Sequence, residues 1–416
     1  MKKSAEDRST PMDDMKGRFF EYIDGLRPGL TEMADEIFDN PETGYSERRA
    51  SALLASYLSD AGFSVEFGEG GLETAFRAVY DHGPGGPSIG LLCEYDAIEG
   101  LGHACAHHIQ GPAMAGAAAA VKELLRGKPY RLVVYGTPAE ETGGGKIDML
   151  EHGSFKDIDV ALMCHGSPTT TTDVRCLAMS SFRVSFRGVN SHAAICPEAG
   201  RSALDAVLLA CQGVEFLREH VEDGTRMHYT ILDSGGPENV VPQDASARFA
   251  LRSYDRYSLD SAIDRFKKII EGAACMTETT YAIHEERRFD SKIPVLSLND
   301  ILMKNASLVK APCIRPPREH TGSTDFGNVM YVVPGSCIRI AFVPEGTPSH
   351  SQAYLDAGKS PQAHDAVVMA AKIMAATVFD LVCGEGVMAR VKCEFASKKN
   401  AVGSSRDAGD GSAAVS

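Results

Sequence analysis

The sequence predicts an α/β fold in which a smaller unit is inserted into a larger one. Two stretches, near the start and the end of the chain, alternate strand-like and helical runs, which is typical of a mostly parallel sheet with flanking helices. Between them the order changes to that of a ferredoxin-like βαββαβ unit. The length of 416 residues fits two or three domains of ordinary size.

The larger unit starts with two helical patterns. Apolar residues recur at helical spacing from Lys16 to Phe38, where Pro28 predicts a break, and again over Glu47–Ala61. Strand-like runs and one helix of small residues follow, separated by turn-forming glycines and prolines. The predicted strands are Phe63–Phe67, Thr74–Tyr80, Ser88–Glu94, Arg131–Gly136 and Val160–Cys164, and the small-residue helix is Cys105–Leu125.

We predict that the insertion covers residues 179–294 and that the larger unit comprises residues 15–178 and 295–396. Residues 1–14 are expected to form a flexible leader, and residues 397–416, rich in Gly, Ser and Ala, a disordered tail. The insertion's predicted elements are Ser181–Arg187, Ala203–His220, Met227–Leu232, Ala245–Ser253, Leu259–Ala274 and Thr277–Arg287, and those after it are Asn299–Lys310, Cys337–Val343 and Gln362–Leu381.

Charge and composition indicate which kinds of partner the chain could bind and in which compartment it is expected. The chain has 56 acidic and 42 basic residues, a net charge of −14 that repels nucleic acid and anionic membranes. No run reaches the 18–20 apolar residues of a membrane span, and the N-terminus lacks the apolar segment of a signal peptide. The 11 cysteines follow no repeating spacing, as expected for reduced thiols. We therefore expect a cytoplasmic protein with a small-molecule substrate.

A cluster of potential metal ligands follows the third predicted strand. The segment GHACAHH places Cys105 and His107 at a strand-to-helix junction, beyond the strand that ends in Glu94-Tyr95-Asp96. Ligands collect at this edge of an open α/β sheet. A thiolate and an imidazole suit Zn²⁺, Mn²⁺ or Co²⁺ better than Mg²⁺ or Ca²⁺. Taken alone, the segment is equally compatible with an ordinary helix start.

Two adjacent carboxylates, Glu140 and Glu141, follow the strand Arg131–Gly136. Neighbouring carboxylates are costly unless a positive charge lies between them, and a metal ion supplies that charge. One carboxylate can then bind the ion while its neighbour acts as general base toward water. The alternative for this pair alone is a solvated acidic loop.

Single histidines follow two further strands. His165 comes just after Val160–Cys164, and His350 after Cys337–Val343. Each alone would more often be a structural residue. Four separate strand ends with metal-competent side chains nevertheless predict one shared metal site.

The insertion also contains polar residues that suit a binding site. His192, in GVNSHAA, could donate a hydrogen bond to a developing oxyanion. Asn239, in ENVVPQ, could bind a substrate carboxylate, and Arg252 and His228 are further candidates. From the residues alone, each of the four is also compatible with a structural role.

The motifs EYDAIEGLGHACAHH, GTPAEETGGGKIDMLEHGSF, DVALMCHG, GVNSHAA, ENVVPQ, GSTDFGNV and PSHS together resemble the aminoacylase/carboxypeptidase-like family of metallo-amidohydrolases. The resemblance runs from about Asp24 to Val382 and is greatest to the branch of p-aminobenzoyl-glutamate, auxin-conjugate and β-alanyl-dipeptide hydrolases. It implies a metallopeptidase-like catalytic domain interrupted by a lid that also dimerises, giving a homodimer or a higher homo-oligomer.

The resemblance also implies a role for each site residue. The metal ligands would be Cys105, His107, Glu141, His165 and His350, which would hold one or two ions of Mn, Zn or Co. Glu140 would be the general base, and Asp96 would orient a ligand imidazole. His192 would be the lid histidine that reaches the partner protomer's active site, with Asn239, Arg252 and His228 on the substrate side.

Two departures from the branch's usual motif leave the substrate open. Ala106 replaces a glycine, which requires an ordinary backbone conformation or a changed loop, and His108 replaces an acid or amide. We expect a metal-dependent hydrolase that cleaves a C–N bond of a small carboxylate-bearing substrate, aromatic or not. Amide hydrolysis is the first expectation. Hydrolytic deamination of an aromatic amine on the same metal site is the alternative, and a non-catalytic metal-binding scaffold is the remote one.

Overall fold

The computed structural model describes the backbone of residues 11–409 and the side chains of residues 14–401. The chain divides into two compact units. Unit 1 comprises the described residues up to Val174 together with Ile293–Glu319 and Asn328–Lys399, and unit 2 comprises Arg175–Lys292, His320–Gly327 and the described residues from Asn400.

Strands and helices alternate along most of the chain. In chain order the strands are β1 (Ser64–Phe67), β2 (Phe76–His82), β3 (Ser88–Cys93), β4 (Tyr130–Gly136), β5 (Val160–Ser167), β6 (Thr171–Cys176), β7 (Ala178–Arg187), β8 (Arg226–Asp233), β9 (Asp244–Ser253), β10 (Thr280–Phe289), β11 (Arg318–Thr321) and β12 (Gly335–Ala341).

The helices are numbered in the same way. They are α1 (Pro11–Asp39), α2 (Arg48–Asp60), α3 (His107–Leu124), α4 (Gly145–Glu151), α5 (Ala203–Leu217), α6 (Arg256–Thr277), α7 (Leu296–Leu308), α8 (Phe326–Val332), α9 (Gln352–Ala357), α10 (Pro361–Cys383) and α11 (Val387–Gly409).

The large sheet has the strand order β1-β2-β4-β3-β5-β12-β6-β11. Its central strands β4, β3, β5 and β12 pair in parallel. The pairs β1–β2, β2–β4 and β12–β6 are antiparallel, so the sheet is mixed, with its parallel strands at the centre. The predicted α/β class is confirmed, and the carboxyl ends of β3, β4, β5 and β12 share one edge.

The helix α3 is built from small residues because other helices approach it closely. It packs against α1, α2 and α10. A Cβ atom added at Gly116 would meet Leu30 at 2.6 Å, and one added at Gly111 would meet Leu54 at 2.5 Å. Larger side chains would push these helices away from α3, whose first residue belongs to the candidate site.

Helix α10 is long and apolar enough to pass a length-and-composition test for a membrane span, although Lys372 interrupts its apolar run. Of its most apolar window, 83% is buried inside the described structure. Because α10 packs against α1, α3 and α7, it is a core helix of unit 1.

Unit 2 contains a four-stranded sheet of order β10-β7-β9-β8, in which every neighbouring pair is antiparallel. Its elements follow the predicted order βαββαβ, and α5 and α6 pack on the sheet. In the core, the ring of Phe266 contacts the rings of both Phe182 and Phe249. The edge strand β8 is exposed along most of its length.

Two predictions about helices are wrong. Helix α1 begins at Pro11, inside the predicted leader, and passes through Pro28 without ending. Residues buried on both sides of the proline, such as Ile23 and Leu30, hold the helix in place despite the missing amide. Residues 1–10 of the predicted leader lie outside the described residues.

The predicted disordered tail is also corrected. Helix α11 continues from Val387 to Gly409, past the expected boundary at Ser397. Lys398 anchors this part, since its Nζ atom lies 2.7 Å from Glu394 Oε1 and donates to the carbonyl of Pro294 at 2.9 Å. Residues 410–416 lie outside the described residues.

Candidate metal centre

The first part of the site lies where β3 leads into α3. Cys105 is in the connecting loop and His107 is the first residue of α3. Between them, Ala106 has φ 66° and ψ 28°, a left-handed conformation that costs a non-glycine residue roughly 1–2 kcal/mol. Of the two expectations for Ala106, an ordinary conformation is therefore wrong, because the residue adopts one that favours glycine.

Cys105, His107 and His165 form one group of potential ligands. The Sγ atom of Cys105 lies 3.5 Å from Nε2 of His165. The ligand atoms of all three residues lie within 4.8 Å of one another. His165 belongs to β5 itself, because that strand is three residues longer than predicted.

Glu141 links this group to the segment that follows β12. Its Oε1 atom lies 3.5 Å from Nε2 of His350 and 3.9 Å from Nε2 of His107. Ligand atoms of Cys105, Glu141 and His350 lie within 4.8 Å of one another, and those of His107, Glu140 and Glu141 do so as well. The structure thus brings all five expected ligands and the expected base into one cluster.

Two histidines present the same nitrogen to this cluster. The Nδ1 atom of His107 lies 3.0 Å from both Oδ1 and the carbonyl oxygen of Asp96. The Nδ1 atom of His165 lies 2.7 Å from the carbonyl oxygen of Gly166. These oxygens accept hydrogen bonds, so each Nδ1 carries the hydrogen and each Nε2 faces the cluster.

The buried Nε2 atom of His107 shows that the residues fit a metal ion. No hydrogen bond reaches this atom in the described part of the chain, although its side chain is 0% exposed. A buried polar atom without a partner is costly, and coordination to a cation removes that cost. Three imidazoles, a thiol and two adjacent carboxylates are the donors that divalent transition metals prefer.

Glu94 is a buried carboxylate that the sequence analysis missed. Its Oε1 atom accepts a hydrogen bond from Lys146 Nζ at 2.6 Å, and its Oε2 atom accepts one from Gln110 Nε2 at 2.6 Å. Glu94 Oε2 also lies 3.3 Å from His107 Nε2. Burial would raise the pKa of Glu94, but the charges of Lys146 and His107 hold it at about 2. The local sequence gives no signal for this arrangement, since Lys146 is 52 residues away.

Burial and neighbouring charges shift the pKa values of the groups in the cluster. Burial lowers the pKa of His165 to about 3, helped by the guanidinium of Arg339, so this imidazole is neutral at pH 7. Burial raises the pKa of the Cys105 thiol. Burial also acts to raise the pKa of Glu141, but a hydrogen bond with His350 and the charge of His107 lower it to about 2.

His108 makes structural contacts. Its Nε2 atom lies 2.8 Å from the carbonyl oxygen of Gly358, and its ring packs edge-on against Phe38. Burial lowers the pKa of His108 to about 3, so the ring is neutral and donates to Gly358. The unusual residue at this position therefore joins the start of α3 to the segment after α9.

In unit 2 the loops that carry His192 and Asn239 meet. The amide of Ala193 donates to the carbonyl of Asn239 at 2.9 Å, and both candidate side chains are exposed. Arg252 lies on β9 and is half-buried. No hydrogen bond reaches its Nε atom in the described part of the chain, and its Nη1 atom lies 3.4 Å from Ser323 Oγ. Partial burial lowers the pKa of His228, and the charge of Arg252 contributes.

Comparison with known proteins decides the family. Residues 178–274 match the family model described as a peptidase dimerisation domain. The chain is 32% identical over 445 residues to one of the subunits of p-aminobenzoyl-glutamate hydrolase from Escherichia coli, with 88% of this chain and 92% of that protein covered. It is 32% identical over 401 residues to the Xaa-Arg dipeptidase of Mus musculus, covering 92% of this chain and 93% of the dipeptidase. The chain belongs to the M20 peptidase family.

Solved structures share the M20 fold. An aminohydrolase from methicillin-resistant Staphylococcus aureus has a TM-score of 0.75 at 17% identity, over 88% of this chain and 100% of that one. A dinuclear metal-binding M20 peptidase from Bacillus subtilis has a TM-score of 0.67 at 15% identity. The match covers 86% of this chain and 99% of that one. As an M20 member, the chain is a hydrolase of C–N amide bonds, which confirms the class of reaction expected from sequence.

Proposed function

We propose that this M20 enzyme cleaves the amide bond of a small substrate that carries a free carboxylate, with Glu140 as general base. The observation that supports the proposal is the second carboxylate within the ligand cluster. Glu140, Glu141 and His107 offer ligand atoms within 4.8 Å of one another. Since Glu141 also lies beside His350, it is the carboxylate better placed to ligate, which leaves Glu140 for proton transfer.

We assign the ion to Cys105, His107, Glu141, His165 and His350, with Zn²⁺, Mn²⁺ or Co²⁺ as the candidates and one or two ions per subunit. When bound, the ion activates water and polarises the scissile carbonyl. Glu140 takes a proton from water and returns it to the leaving amine. Asp96 holds His107 in the tautomer that ligates.

Unit 2 would supply the groups that recognise the substrate. The half-buried guanidinium of Arg252 suits a carboxylate, and Asn239 offers an amide for the same group. As the family resemblance implies, His192 would reach the partner protomer's active site and donate a hydrogen bond to the oxyanion there. His228 would be a further substrate-binding residue.

Two substrate classes follow from the relatives' names. One relative is named for p-aminobenzoyl-glutamate and another for dipeptides of the Xaa-Arg type. Both classes place a carboxylate close to the scissile amide. A panel of N-acyl-glutamates and Xaa-Arg or Xaa-Lys dipeptides, assayed for the free amino acid, should reveal turnover. Ammonia release from aromatic amines without amide cleavage would instead favour the aminohydrolase alternative.

The role of Glu140 can be tested with one substitution. Glu140→Gln should retain the metal and lose most of its activity, by about 10²–10⁴-fold, because general-base catalysis contributes that much. Glu151→Gln, on the exposed side of α4, is the matched control and should stay active. Full turnover by Glu140→Gln would remove this residue from the scheme.

We further propose a homodimer formed through unit 2. The matched dimerisation domain supports this. Exposed large apolar side chains lie on α5 and on the edge strand β8, and such surfaces suit association between copies. Light scattering should give a dimer, and a fully active monomer would contradict it. The exposed apolar side chains on α5 and β8 are Leu208, Leu209, Phe216, Tyr229, Ile231 and Leu232.

A cytoplasmic location is the corresponding proposal for the compartment. All 11 cysteines fall in the described part of the chain, and no disulfide joins any of them there, as a reducing compartment would keep them.

A further inference from the structure

The turn that precedes Glu140 and Glu141 is held in an uncommon conformation. Ala139 is fully buried and has φ 60°, in the left-handed region that a residue with a Cβ atom rarely adopts. Its carbonyl oxygen accepts hydrogen bonds from the amides of Gly143, Gly144 and Gly145, at 3.1, 2.7 and 3.3 Å. Such a conformation persists only where its surroundings hold it.

The amide of Ala139 is held by a distant carboxylate. It donates to Oε1 of Glu47 at 2.8 Å, across 92 residues of sequence. The other oxygen of Glu47, Oε2, accepts a hydrogen bond from Thr74 Oγ1 at 3.0 Å. Glu47 directly precedes α2, yet its side chain makes no capping hydrogen bond to that helix. One of its oxygens is instead directed at the turn that carries Glu140 and Glu141.

Keeping a carboxylate in this place is costly for the folded state. Glu47 is 0% exposed, and burial raises its pKa to about 7. An apolar residue or an amide would avoid the cost of burying a charge. A contribution to stability therefore does not account for Glu47, whereas its contact with the catalytic turn does.

We propose that Glu47 is a positioning residue for amide hydrolysis, fixing the direction of Glu140 and Glu141 through its hydrogen bond to Ala139. The inference rests on the proposed function. Asp96 secures the other side of the same turn, since its Oδ2 atom accepts the amide hydrogen of Glu141 at 2.9 Å. Two carboxylates from different parts of the chain thus clamp the residues on either side of Glu140.

Two substitutions of Glu47 distinguish the effect of its side-chain length from the effect of its charge. Glu47→Gln keeps the length of the side chain and an oxygen that can accept from Ala139. Glu47→Asp keeps the charge but is one methylene shorter, so it cannot span the same distance. If Glu47 acts by positioning, Glu47→Asp should lower kcat and the affinity for Co²⁺ by about 10–100-fold, as outer contacts of metal ligands do. Glu47→Gln should stay within about threefold of the wild type in both.

The Co²⁺ measurements use the absorption spectrum of the titrated protein, so they report on the site independently of turnover. Glu42→Gln is the matched control, because Glu42 lies in the same segment and accepts hydrogen bonds from the amides of Arg49 and Ala50 instead. It should leave the Co²⁺ spectrum and affinity unchanged.

A Glu47→Asp protein with wild-type Co²⁺ affinity, spectrum and kcat would overturn the proposal, as would a Glu47→Gln protein impaired as much as Glu47→Asp. Failure of the proposed function itself would show differently. An active Glu140→Gln enzyme would remove the assigned base, while the Co²⁺ affinity of Glu47→Asp would still report whether Glu47 holds the turn.

Discussion

The Sγ atom of Cys105 lies 3.5 Å from the Nε2 atom of His165, although 60 residues separate the two in the chain. The parallel pairing of β3 with β5 accounts for this proximity. The loop after β3 and the end of β5 reach the same edge of the sheet, where a thiol and a neutral imidazole face each other. This pair is the most direct evidence for a soft-metal site in the chain.

Metal binding should release protons. Burial raises the pKa of Cys105, and although burial opposes the charged form of His107, the negative groups around it raise its pKa too. The ion-free pair therefore holds at least one proton at pH 7, which must leave before both can ligate. We expect Zn²⁺ affinity to fall by about tenfold or more for each pH unit on acidification. Calorimetry in buffers of different ionisation enthalpy measures the protons released, and a value of zero would contradict the assignment.

Replacing the carboxylate of Asp96, which accepts a hydrogen bond from His107, should weaken metal binding and leave the protein folded. Asp96→Asn keeps the size of the side chain, but an amide holds the ligating tautomer less firmly. We expect a loss of about 10–100-fold in Zn²⁺ affinity, measured by chelator competition. Asp39→Asn, which changes an exposed partner of Lys359, is the control. Equal affinities of the two variants would show that Asp96 does not orient the ligand.

Glu47 should make stability depend on pH. Its folded-state pKa of about 7 lies above its ordinary value of 4.5, so the folded protein binds the proton more tightly. This contribution to the free energy of unfolding is fully present below pH 4.5 and is lost as the pH rises through about 7.

The Glu47→Gln protein lacks this titration, so it should gain stability relative to the wild type between pH 5 and pH 8. The gain should reach at most about 3 kcal/mol, since one pKa unit corresponds to about 1.4 kcal/mol. Urea unfolding at both pH values, with Glu42→Gln as control, measures the difference. If the stability difference between Glu47→Gln and the wild type were the same at pH 5 and pH 8, Glu47 would not titrate in this range.

The features of this structure that could be predicted are those set by residues close together in the sequence. Alternating apolar runs predict β3, β4, β5 and β12, and the carboxyl ends of parallel strands share an edge, so the cluster from Cys105 to His350 could be expected before the fold was known. The order of the elements in unit 2 follows from period and length alone.

Long-range burial could not be predicted in the same way. Glu47 stands at the start of a predicted helix, where a carboxylate is normally exposed, and Lys146 follows three glycines, so neither signals a buried partner. Helix α1 passes Pro28 because tertiary packing outweighs a local preference. Such residues acquire their roles from contacts 52 and 92 positions away.

The central claim is that a thiolate and imidazoles from separate strand ends hold one cation. X-ray absorption at the zinc edge of the Zn²⁺-loaded protein tests it most directly. The account predicts a sulfur scatterer at about 2.3 Å that disappears in Cys105→Ser and stays in the control Cys313→Ser. A wild-type spectrum with only nitrogen and oxygen around zinc would contradict it.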